Sequence, residues 1–177
     1  SMSHPTAHKY QSYQGIPALR KAIADFYHNK YGVTLNPTNE ILPLLGSKEG
    51  VMHISMAFLN PGDQVLVPNP GYPTYTSVTR LVEAEPVFYN LDEKNHWHPK
   101  LDQLKSLDGT KIRLMWINSP HMPTGTTIDP QLLRDLITWA AQNEILLVND
   151  NPYSFVLTEH PKSIFQNQKD KSNIMEL

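Results

Sequence analysis

The segment Ile145-Leu146-Leu147-Val148-Asn149-Asp150-Asn151-Pro152-Tyr153 constrains this chain more than any other. Its apolar residues run straight into Asn-Asp-Asn-Pro. An unbroken apolar run bounded by turn formers reads as a strand buried on both faces of a parallel sheet. Such sheets bind ligands in the crevice beyond the carboxyl ends of their strands, where Asp150 falls. A carboxylate taken out of water there is costly unless it pairs with a cation.

The rest of the chain supplies partners for that strand. Residues 4–16 are polar and Tyr-rich and read as loop. Pro17 opens a helix carried by Leu19, Ile23, Phe26 and Tyr27 and ended by Gly32. Short strands are expected at Glu40–Leu45, Gln64–Pro68, Pro86–Leu91 and Ile112–Asn118, ahead of Ile145–Asn149. Helices are expected from Ser47 onward (Val51, Ile54, Ser55, Phe58 and Leu59 on one face), over Tyr72–Glu83 and over Leu101–Leu107. Another starts after Asp129-Pro130, an N-cap followed by an N1 proline, with Leu133, Leu136, Ile137, Ala140 and Ala141. The tail from Glu159 is polar and ambiguous, and Ile174–Leu177 reads as the start of a further strand. Strands alternating with helices indicate an α/β fold with a mainly parallel sheet.

Composition narrows the function. The length of 177 residues allows one domain with a real core. A formal net charge of -2 provides no basic field, which argues against nucleic acid as a partner. With no cysteine, disulfides and thiolate metal sites are excluded. That fits a reducing compartment, and the expected location is cytoplasmic. No apolar run approaches a membrane span, so no membrane partner is expected.

Three further segments fall between expected elements. Gly46-Ser47-Lys48-Glu49-Gly50 precedes a helix, where free amides and a cation suit a phosphate; it reads equally as a tight turn with a serine N-cap. Asn69-Pro70-Gly71-Tyr72-Pro73-Thr74-Tyr75 follows a strand and brings Tyr72 to the same sheet edge, where its ring can stack on a flat ligand or half-bury in a surface turn. Asn118-Ser119-Pro120-His121-Met122-Pro123-Thr124-Gly125 is a loop made rigid by two prolines and a glycine. His96 and His98 lack an evident third ligand and read as a solvated loop. Met52, Met56 and Met115 read as core.

Taken in order, Gly46–Gly50, Asn69–Tyr75, Asn118–Gly125 and Asn149–Tyr153 resemble the signature of class I and II aminotransferases, fold-type I enzymes that use pyridoxal 5'-phosphate. Tyr10–Arg20 is similar to that family's YxxxxGxxxLR stretch. Four motifs in the right order at compatible spacing are far more specific than any one. The resemblance implies a three-layer α/β/α sandwich, with residues 1–177 forming part of the large cofactor-binding domain. It implies that Gly46, Ser47 and Lys48 hold the cofactor phosphate and that Tyr72 stacks on the pyridine ring. Asp150 would pair with the protonated ring nitrogen, and Tyr153 would hydrogen-bond the phenolic oxygen. Tyr10 matches the tyrosine that reaches the phosphate of the partner subunit's site, which implies a homodimer. The implied substrates are an amino acid and a 2-oxo acid.

Two departures from the family qualify this reading. Met122 stands where the family has an asparagine that bonds the phenolic oxygen, and a thioether is a poor acceptor and no donor. Tyr153 then becomes the main donor, with His121 as a possible compensating group. The Schiff-base lysine is expected beyond Leu177, since Lys162, Lys169 and Lys171 fall too early. The N-terminal arm and the small domain are also absent from these residues, so the chain is expected to be an inactive part of an aminotransferase. Alternatives are another fold-type I enzyme, such as a β-lyase or decarboxylase, or a non-catalytic cofactor-sensing domain of a transcription regulator.

Overall fold

The computed structural model describes residues 3, 5–10, 12–156 and 158–177, so His4 and Gln11 of the expected N-terminal loop lie outside the described residues. The chain divides into two units, Ser1–Leu45 and Gly46–Leu177.

In the first unit a single helix, α1 (Pro17–Tyr31), begins with proline at its first turn and ends on Gly32 in the left-handed region at φ 68°. The residues that mark this helix in the sequence are not the ones it buries. Leu19 and Phe26 are exposed, while Arg20, Ala24 and Tyr31 are buried. The Arg20 guanidinium donates to the carbonyls of Pro37 and Thr38 at 2.9 and 3.1 Å, which fixes the chain that follows α1. The strand expected at Glu40–Leu45 does not form. Pro43 sits at its centre with no N–H to give to a ladder, and Leu42 and Leu45 are exposed.

The second unit is built on five strands: β1 (Gln64–Asn69), β2 (Glu85–Asn90), β3 (Ile112–Asn118), β4 (Leu146–Asp150) and β5 (Ile174–Glu176). They pair in the order β2-β1-β3-β4-β5, and every neighbouring pair is parallel. The helices are α2 (Ser47–Phe58), α3 (Pro73–Leu81), α4 (Leu101–Lys105) and α5 (Pro130–Gln142). Helix α3 is shorter than expected: Val82 leaves helical geometry and Glu83 turns to φ 61°. Among the described residues no helix is long and apolar enough to cross a membrane.

Successive strand residues point to opposite faces, and two cores follow from that. Val65, Val67, Leu114, Trp116, Leu146 and Val148 pack with Val51 of α2 and with Tyr75 and Val78 of α3. Leu66, Met115, Ile117 and Leu147 pack with Leu104 of α4 and with Leu136, Ile137 and Ala140 of α5. The result is three layers, with helices on both faces of a parallel sheet. All five residues of β4 are buried, as its continuous apolar run requires.

The strand order also fixes where a ligand can enter. From β1 the chain crosses to β2 on one side; β3 returns on the other side of β1 and continues through β4 to β5. The order therefore reverses between β1 and β3. Right-handed crossovers then send α3 and α5 to opposite faces, which opens a crevice at the carboxyl ends of β1 and β3. The β1–β3 ladder stops at Leu66 opposite Met115, although the strands run on to Asn69 and Asn118.

Leu147→Ala, at a fully buried site between these layers, is expected to cost about 2–5 kcal/mol in urea denaturation. Phe88→Ala on the edge strand, where the ring is 48% exposed, should cost less than about 1 kcal/mol.

Candidate active site

Asp150 ends β4 at the carboxyl edge of the sheet, directly opposite Asn118 of β3. Two residues beyond Val148, its side chain lies on the same face as α2 and α3. It is only 3% exposed. Its Oδ2 accepts a hydrogen bond from the Tyr75 hydroxyl at 2.7 Å. Its Oδ1 is buried and has no hydrogen-bond partner among the described residues. Burial pushes the carboxyl above the usual carboxylate range, and the Tyr75 bond works against that rise. The group is thus desolvated, with one oxygen bonded and the other buried without a partner among the described residues.

Tyr75 is the residue that the sequence did not single out. It lies in the first turn of α3, fully buried, and stacks on Trp116 with ring centroids 5.1 Å apart and planes 7° apart. Its ring is met edge-on by Tyr72 at 5.6 Å and 83°. The signal was present in Asn69–Tyr75: three positions on a helix bring Tyr75 below Tyr72 on one face. What the sequence cannot show is a bond between residues 75 positions apart.

Tyr72 precedes α3 on a turn that only glycine permits. A Cβ on Gly71 would lie 2.4 Å from the Pro68 carbonyl oxygen. The Lys48 ammonium stands over the Tyr72 ring, 5.8 Å from its centroid. Lys48 belongs to the first turn of α2, whose N-cap is Gly46 and not Ser47, so the reading of a serine cap does not hold. No side chain caps this end. A Cβ at Gly46 would meet nothing within 4 Å, so the space beside this N-cap residue is open. The first amides of a helix have no partner within it and carry its positive dipole end.

Tyr153 lies in the turn after β4, and its hydroxyl donates to the Met122 sulfur at 3.5 Å. A thioether is a weak acceptor, so this hydroxyl is cheaply redirected. Asn118 fastens these parts together. Its Nδ2 donates to the Asp150 carbonyl at 2.7 Å, and its Oδ1 accepts from the Met122 amide at 2.6 Å. His121 does not face the same space as a spare donor. Its two ring nitrogens are engaged by Thr124 Oγ1 and by the Pro70 carbonyl.

The structure therefore gathers Lys48, Tyr72, Asp150 and Tyr153 at the ends of β1, β3 and β4, and adds Tyr75 and Asn118. Tyr10 belongs to the first unit, where its ring is fully exposed. Asn149 precedes Asp150 and points to the opposite face. There it borders a cavity of about 600 Å³, lined also by Ile117, Ser154, Lys162 and Ile164, which does not include Asp150. His98 bonds the Thr127 carbonyl at 3.2 Å, and no cluster able to hold a metal occurs among the described residues. Met115 lies in the core on one face of the sheet and Met52 packs against the core on the other, but Met56 is exposed, contrary to the sequence reading.

A doubly wound parallel sheet with helices on both faces defines an α/β protein, and its half-satisfied acid ends β4, one strand from the switch point between β1 and β3. The chain belongs to the aminotransferase class I and II family, whose model matches residues 2–176. It is 38% identical over 160 residues to an LL-diaminopimelate aminotransferase of Dehalococcoides mccartyi, covering 90% of this chain and 41% of that protein. Against the enzyme of the same name from Aquifex aeolicus it is 38% identical over 168 residues, 94% of this chain and 43% of that one. The structure of apo-BacF from Bacillus subtilis superimposes with a TM-score of 0.91 at 34% identity, over 98% of this chain and 46% of that one. An aminotransferase from Staphylococcus aureus gives 0.89 at 30% identity, over 99% and 46%. The chain spans about two-fifths of the length of the curated relatives it matches.

The raised carboxyl has a consequence for stability. Folded Asp150 keeps its proton to higher pH than it does in the unfolded chain. In that interval the native state binds more protons, so this group's contribution falls as pH rises through the folded value. Asp150→Asn is expected to be more stable than the unaltered chain at pH 7, by on the order of 1–2 kcal/mol. That advantage should narrow as pH falls toward about 4, where the unfolded carboxyl also takes up its proton. Urea denaturation across this range checks it, and a variant less stable at neutral pH contradicts it.

Proposed function

We propose that this chain forms the pyridoxal 5'-phosphate site of an enzyme that moves an amino group from an amino acid to a 2-oxo acid. The observation that carries the reading is the buried, unpartnered Oδ1 of Asp150, next to an Oδ2 held by Tyr75. Family membership supports it, since aminotransferases of this class depend on that cofactor in general.

The residues present fit the group. The open terminus of α2 at Gly46, with Ser47 and the Lys48 ammonium, suits a phosphate dianion. Tyr72 offers an aromatic face for a flat ring. Asp150 suits a protonated ring nitrogen, because an opposite charge offsets the burial that now disfavours its ionised form. Tyr153 offers a hydroxyl whose present acceptor is weak. When bound, the cofactor supplies an electron sink for the carbanion at the substrate α-carbon. Asp150 serves that chemistry by holding a proton on the ring nitrogen. Tyr75 serves it by satisfying one carboxylate oxygen and leaving the other without a protein partner.

The same reading assigns Tyr10 to the phosphate of a partner subunit's site in a homodimer, and its full exposure leaves it free to serve there. The relatives' name makes LL-diaminopimelate an amino donor to test first.

Titration with pyridoxamine 5'-phosphate, whose amine cannot condense with lysines, isolates the non-covalent site. Asp150→Ala is expected to weaken binding by about tenfold or more, and Lys48→Ala by several fold. Equal binding by the unaltered chain and Asp150→Ala contradicts the proposal.

A further inference from the structure

We propose that His121 is a positioning residue that ties the loop after β3 to the loop after β1 across the mouth of the crevice and thereby sets where Tyr72 stands. The inference rests on the reading above only for what the crevice binds; the tie itself is a matter of geometry.

The two loops need such a tie. The β1–β3 ladder ends at Leu66 and Met115, short of the strand ends at Asn69 and Asn118. Beyond it the strands separate, and helices α3 and α5 leave on opposite faces. His121 spans that opening. It is 4% exposed, and its Nε2 lies 3.1 Å from the carbonyl oxygen of Pro70, two residues before Tyr72.

The partners decide the state of the ring. A carbonyl only accepts, so Nε2 carries the proton. In the neutral ring Nδ1 is then an acceptor, and the Thr124 hydroxyl at 2.8 Å donates to it. Thr124 Oγ1 in turn accepts from the Thr126 amide at 3.4 Å. Every proton in this chain of bonds has an acceptor. Burial disfavours the charged ring, which keeps this arrangement in place.

Neither loop has slack to replace the bond. The His121 amide donates to the Thr126 carbonyl at 2.8 Å, and the Gly125 amide donates to the His121 carbonyl at 2.7 Å. Gly125 takes φ 75°, a conformation that favours glycine. On the other side, Gly71 is pressed against the Pro68 carbonyl, so the Pro70 peptide leads into Tyr72 with little freedom. Moving Pro70 therefore moves Tyr72, the ring offered to a flat ligand.

The test separates the Nε2 bond from mere filling of space. The amide nitrogen of glutamine at position 121 reproduces the ring's Nε2; that of asparagine falls at Nδ1 and cannot reach Pro70. His121→Asn is expected to shift the Gly71 and Tyr72 backbone amide resonances and to weaken pyridoxamine 5'-phosphate binding by about fivefold. His121→Gln should restore both. In a Tyr72→Ala background, His121→Asn should cause no further loss of binding. Ring nitrogen NMR of the unaltered chain should show the proton on Nε2. The proposal is overturned if Nε2 is unprotonated, if Gln and Asn behave alike, or if the loss adds to that of Tyr72→Ala. If the unaltered chain does not bind the ligand, the reading of the site falls, while the amide shifts alone still decide the tie.

Discussion

A carboxyl group buried at the end of a parallel strand, with one oxygen bonded to a phenol and the other without a partner among the described residues, is the constraint around which this structure is arranged. Asp150 has lost nearly all of its water and has only the Tyr75 hydroxyl in return. Removing a carboxylate from water without full compensation costs several kcal/mol in a protein interior. The surrounding residues keep that cost in place. Tyr75 cannot swing away, because it is stacked on Trp116 and fully buried. Asp150 cannot retreat toward solvent, because its backbone carbonyl is held by Asn118 and its strand is paired on both sides. A binding site that holds an unmet demand for positive charge is prepared for a cation in advance of meeting it.

The fold explains why the demand arises at this place. β4 is central enough to be buried along its whole length, so its last residue is still dry when the chain turns. The reversal of strand order between β1 and β3 opens the sheet edge beside it. Three consequences of local sequence then meet there: the glycine turn that presents Tyr72, the rigid loop that carries His121 and Met122, and the uncapped terminus of α2. Each is a backbone arrangement with few alternatives, and together they surround one acid.

The sequence made some of this legible and hid the rest, for physical reasons. Continuous apolar runs at Leu114–Ile117 and Ile145–Val148 read as buried strands, and the crevice position of Asp150 follows from them. Glu40–Leu45 looked similar, but Pro43 interrupts the donors that a ladder needs. In α1 the apolar spacing identified a helix but not its buried side, because Arg20 goes inward to satisfy two carbonyls. The role of Tyr75 depends on a contact between distant parts of the chain, which no local pattern records. His121 was conspicuous, yet its place was wrong: the ring turns toward the Pro70 carbonyl, leaving Tyr153 to face Met122.

The most direct test of this account is the ionisation of Asp150 itself, followed by NMR of its side-chain carboxyl carbon. In the free chain the carboxyl should titrate above the ordinary value of about 3.9. Binding of pyridoxamine 5'-phosphate should lower it, because a pyridinium favours the carboxylate. A phosphorylated analogue with carbon in place of the ring nitrogen should leave it raised. An ordinary value in the free chain, or the same response to both ligands, would contradict the claim that Asp150 is held in wait for a cation.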